Sequence, residues 1–359
     1  MDSRGGWETS KGPTRPVVSR GMKTSFLIAS LGLLTGSGLA AQSRALVGQG
    51  LPPEARQFDF WPGTWSVDLR IHQRDLSWKD EVEAEARIYS ILRGKAVLEL
   101  WAGGGIKGTS LRYFDTARKT WVAWLDWPGR NRSGSFRMEG AFRHGRVAFE
   151  AKRLEPDGGE VLTRYTFSDI TDRSLRWDDA FSRDGGRTWS HNWIMEFTRT
   201  APTAGLPPRG GNAFTWVDGS RCSLQSFHRW DGWAGMRSGT LDGEPATLRG
   251  YRILDGCAVL LTLSSDGRPG EVWVGQLTFN TYVRRSELLA LDAEPDEPAR
   301  VFYTSDAPDD DVFVEQVADG APLRRVTVRR PPGEPAEIVW EERRGADAPW
   351  RETRRASFP

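Results

Sequence analysis

The chain has 359 residues, 38% of them hydrophobic and 11% aromatic, enough apolar material for two packed domains and too much for a disordered polymer. Its 49 lysines and arginines nearly cancel 48 aspartates and glutamates, so no net field draws it to nucleic acid or to an acidic membrane. Two cysteines, Cys222 and Cys257, allow one disulfide in an oxidising compartment and exclude a cysteine-rich zinc site.

Lys23, the apolar run Phe26-Leu27-Ile28-Ala29-Ser30-Leu31-Gly32-Leu33-Leu34 and the small residues ending Gly38-Leu39-Ala40 form a secretory signal pattern over residues 22–40, with cleavage expected after Ala40. The apolar core is about half the roughly 20 residues of a membrane span. An exported protein of the periplasm or exterior, with no span after cleavage, is the expectation. Residues 1–21 then read as an upstream extension with Met22 as the start, and residues 41–56 as a linker.

Residues 58–65 read Phe-Asp-Phe-Trp-Pro-Gly-Thr-Trp. From there Trp65, Val67, Leu69 and Ile71 alternate with Ser66, Asp68, Arg70 and His72, the period of a strand with one dry face. Gly-x-Trp at the head of such a strand resembles the opening of calycin barrels of the lipocalin and nitrobindin type. The full motif is similar to that of secreted bacterial domains without an assigned activity. Further strands are predicted at 81–90, 95–101, 107–114, 119–126, 134–139, 146–153, 161–168, 174–182 and 188–199, a spacing that suits an all-β barrel. Residues 57–200 are therefore expected to form a calycin-like meander barrel of about ten strands. The lipocalin resemblance implies that Arg199, on the last strand, covers Trp65 by cation-π stacking and closes the barrel base.

An internal echo extends this to a second barrel. Ile91-Leu92-Arg93-Gly94-Lys95-Ala96-Val97-Leu98 recurs as Ile253-Leu254-Asp255-Gly256-Cys257-Ala258-Val259-Leu260 at an offset of 162, Leu175-Arg176-Trp177 as Ile338-Val339-Trp340 at 163, and Trp189 as Trp350 at 161. The Pro/Gly-rich stretch 201–212 reads as a linker, leaving 213–359 as a divergent second barrel. Its opening strand is read at Trp216-Val-Asp-Gly219-Ser-Arg221, with arginine in the place of Trp65, and its loops are longer and more charged, as at Asp306–Asp311.

Few residues point to chemistry. Ser182-Arg-Asp-Gly-Gly-Arg-Thr-Trp189 matches the Asp-box turn of sialidase propellers once, and reads as the turn joining the last two strands. Gly103–Ser110 reads as a hairpin rather than a phosphate loop. On the strand that follows the Asp-box turn, strict alternation puts Trp189, His191, Trp193, Met195, Phe197 and Arg199 on one face, with His191 directed into the barrel. The candidate pocket is Trp65, Trp177, His191 and Trp193, holding a small apolar or aromatic molecule. The alternatives are a structural or protein-interaction module with filled barrels, a haem site on His191 as nitrobindin-like barrels have, or an isomerase or hydrolase using His191 with Asp179. Neighbouring Asp178 and Asp179 should point to opposite faces of their strand. No nucleophile elbow, His-Glu-x-x-His or Cys/His cluster is present, so a binding protein is favoured over an enzyme, with no cofactor or metal required.

Overall fold

A one-sided antiparallel sheet has wet edges, and closing it into a ring removes them. The computed structural model describes residues 50–73, 77–128, 133–154, 158–202, 205–214, 222–305, 311–317 and 320–359, and it contains two closed ten-stranded antiparallel barrels in tandem, each in simple meander order. The expected signal peptide 22–40, the extension 1–21 with Met22, and most of the linker 41–56 lie outside the described residues, as do Trp216–Arg221 and most of the Asp306–Asp311 loop.

Barrel 1 comprises β1 (Gly63–His72), β2 (Trp78–Ile91), β3 (Ala96–Gly103), β4 (Ile106–Asp115), β5 (Thr120–Asp126), β6 (Phe136–Arg143), β7 (Arg146–Leu154), β8 (Glu160–Ser168), β9 (Ser174–Ser182) and β10 (Ser190–Ala201). Each overlaps a predicted strand, with β6 running on past the predicted end at 139, and β1 closes the ring against β10 with Trp65 directly opposite Arg199. Barrel 2 comprises β11 (Gly235–Leu241), β12 (Glu244–Ile253), β13 (Ala258–Ser265), β14 (Glu271–Asn280), β15 (Arg285–Asp292), β16 (Arg300–Thr304), β17 (Val312–Glu315), β18 (Arg324–Arg329), β19 (Ala336–Glu342) and β20 (Arg351–Phe358). Its first strand therefore starts at Gly235, later in the chain than the sequence reading placed it. Trp233-Ala-Gly235-Met-Arg237 takes the place of Trp61-Pro-Gly63-Thr-Trp65, so the arginine standing where barrel 1 has Trp65 is Arg237.

The opening motif of barrel 1 plugs the base of the lumen. Phe58 packs against Trp121, Phe142 and Phe167 at 4.6, 5.0 and 5.6 Å between ring centres, and Trp61 against Trp65 and Phe197 at 5.1 Å each. Asp59 turns outward and accepts a hydrogen bond from Arg56 Nε at 2.6 Å. Arg199 lies 4.1 Å from the centre of the Trp65 ring and donates to the carbonyls of Asp172 (2.7 Å), Pro62 (2.6 Å) and Phe60. The guanidinium thus joins the plug, β10 and the β8–β9 turn. Arg237 serves the base of barrel 2 in a different way, donating to the carbonyls of Trp233 and Gly232 and lying 5.8 Å from the Trp233 ring.

The echoed sequence is an echoed corner. Leu92 and Arg93, and likewise Leu254 and Asp255, adopt left-handed backbone at φ 52–58°, a costly conformation for leucine that both barrels retain where the chain turns into its third strand. These corners reach into the other barrel. Asp255 forms a buried ion pair with Lys107 of β4, and Glu271 of β14 accepts the Leu92 N–H at 3.1 Å. Lys95 donates to the carbonyls of Asp292 (2.7 Å), Glu297 (2.6 Å) and Glu294, and burial lowers its pKa to about 8. Cys257 holds the position of Lys95 in barrel 2 and is bonded to Cys222. Around these contacts the outer faces of both barrels share one apolar core, with Leu98, Leu111 and Tyr113 from one side and Leu260, Val274 and Leu289 from the other. The stretch before barrel 2 is seated on β12, through Gly211 N–H to Gly250 O (2.7 Å), Arg252 N–H to Gly211 O (2.8 Å) and Tyr251 OH to Pro207 O (2.8 Å).

Removing the guanidinium leaves three carbonyls and the Trp65 face without a partner. Arg199→Ala is expected to lower the unfolding free energy by about 2–4 kcal/mol, and urea denaturation followed by tryptophan emission measures it; unchanged stability would show that the closure does not depend on Arg199.

Candidate functional site

Barrel 1 is plugged by aromatic side chains at its base and open at its far end. Along β4 the inward residues run Ile106, Gly108, Ser110, Arg112 and Phe114. Phe114 belongs to the plug, beside Trp121 at 5.9 Å, and Ile106 lines a cavity of about 950 Å³. Between them lies a buried polar layer in which Glu99 accepts from Arg112 Nη1 and Ser110 Oγ, both at 2.7 Å, while Arg112 lies 5.0 Å from the Phe167 ring centre. The cavity walls carry Trp127, Phe136, Tyr165, Trp177 and Trp193, with Asp179, Arg153 and Arg183 among the polar side chains. Trp101 backs this wall, 5.4 Å from Trp127 and 6.1 Å from Trp193.

Of the four residues expected to form a pocket, Trp177 and Trp193 line the cavity and Trp65 and His191 do not. Trp65 is fully buried in the plug, six positions along the β1–β10 ladder from the level where Ile71 faces Trp193, about 20 Å at strand spacing. His191 is on the outer wall because β10 bulges. His191 faces Ala180 and Trp193 faces Asp179, so Asn192 is an extra residue and the alternation reverses across it. His191 Nδ1 lies 3.1 Å from Asp178 Oδ1 on the outside, its side chain 47% exposed. The expected haem ligand and the expected His191/Asp179 acid–base pair are both corrected by this bulge, since His191 and Asp179 occupy opposite faces of the wall. None of the four histidines of the chain lines the cavity, so its residues do not fit haem ligation through histidine.

The same bulge builds the polar end of the site. Asp179 turns inward, accepts the Trp193 N–H at 2.8 Å, and is raised to about 6 by burial, which outweighs the hydrogen bonds from Trp193 and Asn192. Burial, and then the Asp179 charge, also raise the Tyr165 hydroxyl. The Asp-box behaves as a turn. Asp184 accepts from the N–H groups of Arg187 and Thr188, both at 2.9 Å, and from Thr188 Oγ1 at 2.6 Å, which holds its carboxyl well below the ordinary range. Trp189 lies outside, under Arg164 at 3.7 Å.

Four structurally equivalent positions decide why barrel 1 is hollow and barrel 2 is not. Gly108 faces Trp101 where Trp273 faces Leu263, and a Cβ on Gly108 would meet the Trp127 ring at 2.3 Å. Trp127 follows β5 where Asp292 ends β15. Asp179 faces Trp193 beside the Asn192 bulge, and Trp340 faces Arg354 beside a bulge at Thr353. Trp340 therefore corresponds to Asp179 rather than to Trp177, two places from the match read in the sequence. In barrel 2 Trp273 packs on Trp340 at 5.4 Å, Arg354 covers Trp340 at 4.9 Å and donates to Asp292 at 2.7 Å, and a cleft of only about 220 Å³ remains.

No family model matches the chain, and no curated protein matches it. Among solved structures it resembles a protein of unknown function from the DUF3598 family of Nostoc punctiforme, at 10% identity and a TM-score of 0.25, over 86% of this chain and 98% of that one. A superposition of that quality carries no functional argument.

Asp179 titrates higher in the folded chain than in the unfolded one, so its ionisation opposes folding. Its share of stability is expected to fall as pH rises from about 4 to 6 and to level off above, by up to about 3 kcal/mol. Urea unfolding of wild type and Asp179→Asn across pH 4–7.5 isolates that share, and two parallel curves would refute it.

Proposed function

We propose that this chain is an exported binding protein of calycin type that holds a small apolar or aromatic molecule in the mouth of barrel 1. The observation that carries this reading is the 950 Å³ cavity, whose aromatic wall draws on the β5–β6 loop, β6, β8, β9 and β10, at the position where barrel 2 is plugged. Cavities of this size, mostly apolar with a few converging polar groups, are the usual form of a small-molecule site, and barrel mouths are a common place for them. Arg153 and Arg183 at the rim suit an acidic substituent on the ligand, and Asp179 suits a hydroxyl or amide donor. The buried Cys222–Cys257 bond and the signal-like segment support export.

Barrel 2 serves in this reading as a scaffold, and its filled mouth supports that assignment. Ala151 lines the cavity from β7, so Ala151→Trp places a large side chain in the site. The neutral fluorophore N-phenyl-1-naphthylamine is expected to bind the wild-type chain with micromolar affinity and Ala151→Trp at least tenfold more weakly, about 1.4 kcal/mol. Native mass spectrometry of the full chain from its own host provides an independent check: a small-molecule adduct agrees with the proposal, and a bound partner protein favours an interaction module instead.

A further inference from the structure

Among the described residues Tyr282 is the most exposed large apolar side chain, at 73%. It belongs to barrel 2, on the turn between β14 and β15, yet it lines the cavity of barrel 1 together with Asn280. The turn that carries it is locked. Asn280 Oδ1 accepts the N–H groups of Tyr282 (3.0 Å) and Val283 (3.2 Å), and Asn280 Nδ2 donates to Glu287 Oε2 at 2.6 Å. The neighbouring Thr281 is bound on both sides to barrel 1, donating its N–H to Ser133 O at 2.9 Å and accepting the Ser133 N–H on Oγ1 at 3.1 Å. Ser135 N–H donates to Glu287 Oε1 at 3.1 Å, and Gly134 lies so close to the Asn280 carboxamide that a Cβ there would come within 2.6 Å of it. The backbone under Tyr282 is thereby fixed to the loop that supplies Trp127, Ser135 and Phe136 to the cavity wall.

Barrel 1 contains the equivalent turn, between β4 and β5, and shows what the turn itself requires. Asp115 Oδ1 accepts the Arg118 N–H at 2.9 Å, as Asn280 does for Val283. Thr116 reaches across to barrel 2 and donates to Asp296 at 2.9 Å, as Thr281 reaches across to barrel 1. Lys119 and Arg284 share left-handed backbone at φ 53° and 58°. At the position of Tyr282 stands Ala117. An alanine is therefore compatible with this turn, and none of the hydrogen bonds that hold it uses the ring of Tyr282.

We propose that Tyr282 is a ligand-contact residue, so that the binding site is shared between the barrels and takes an elongated, ring-bearing molecule that runs from Trp177 to the mouth and stacks there on the phenol. The inference rests on the small-molecule reading of the cavity and adds its outer wall. A ring held on a locked turn loses little freedom when a ligand covers it, so most of the contact appears as affinity. Barrel 2 then does more than support barrel 1, since it supplies the surface that selects for length and planarity.

The test titrates N-phenyl-1-naphthylamine into the full chain as wild type, Tyr282→Ala, Tyr282→Phe and Ala151→Trp, with thermal melting of each. Tyr282→Ala is expected to weaken binding about five- to tenfold with an unchanged melting temperature, and Tyr282→Phe to stay within about twofold of wild type, because the ring rather than the hydroxyl makes the contact. Binding by Tyr282→Ala as tight as wild type, while Ala151→Trp loses it, overturns the role of Tyr282 and leaves the cavity reading intact. Binding that Ala151→Trp retains, or no binding by wild type, overturns the cavity reading and this inference with it. A drop in melting temperature for Tyr282→Ala that Tyr282→Phe restores assigns the ring to structure and also overturns the inference.

Discussion

Ten antiparallel strands closed into a ring enclose more space than their own inward side chains fill, since eight already make a lumen that side chains just fill. What enters the lumen from elsewhere decides what each barrel is. At the base the answer is the same in both halves: a short segment ahead of the first strand turns in, with Phe58 and Trp61 in one barrel and Trp230 and Trp233 in the other. At the mouth the answers diverge. Trp273, Trp340 and the Arg354–Asp292 pair fill barrel 2, whereas glycine at 108 and aspartate at 179 leave barrel 1 hollow.

The joint between the halves is tied to these mouths. Asp126, at the end of β5, accepts from Ser133 Oγ at 2.6 Å and Gly134 N–H at 3.2 Å, and full burial raises its carboxyl to about 6. Through Ser133 and Thr281 the same loop is bonded to barrel 2, while Lys95 of barrel 1 ties down the β15–β16 loop beside the mouth of barrel 2. Each barrel thus holds the mouth loop of its neighbour. The charges buried in the joint would be costly alone, and their partners across the joint offset that cost only in one relative placement of the barrels.

Strand positions were legible because alternation is a property of the local sequence, and all ten strands of barrel 1 lie where period and turn residues put them. The Asp-box turn was legible from its own motif, whereas the Trp65–Arg199 pair came from the resemblance to lipocalins and not from the period of the strands. The orientation of His191 was not legible. A bulge adds one residue without changing residue type, and nothing in Ser190-His-Asn-Trp193 distinguishes an extra residue from a regular step. The start of barrel 2 was misplaced because a Trp-x-x-Gly-x-Arg pattern at 216 imitates an opening that the chain makes at 233–237. Trp340 was matched two positions away for a related reason: a tryptophan in each copy looks like conservation of a place, and only the hydrogen-bond ladder shows that one replaces an aspartate. Tyr282 gave no signal, because the cavity it lines belongs to the other half.

The echoed corners carry opposite charges, Arg93 in the first half and Asp255 in the second, and both corners reach across the joint, Asp255 to Lys107 of β4 and the Leu92 N–H to Glu271 of β14. If two copies of barrel 1 docked on each other in this manner, Arg93 would meet Lys107, cation against cation in a dry seam. The native order sets Asp255 there instead. The buried Asp255–Lys107 pair therefore favours a joint between unlike halves over one between two copies of barrel 1.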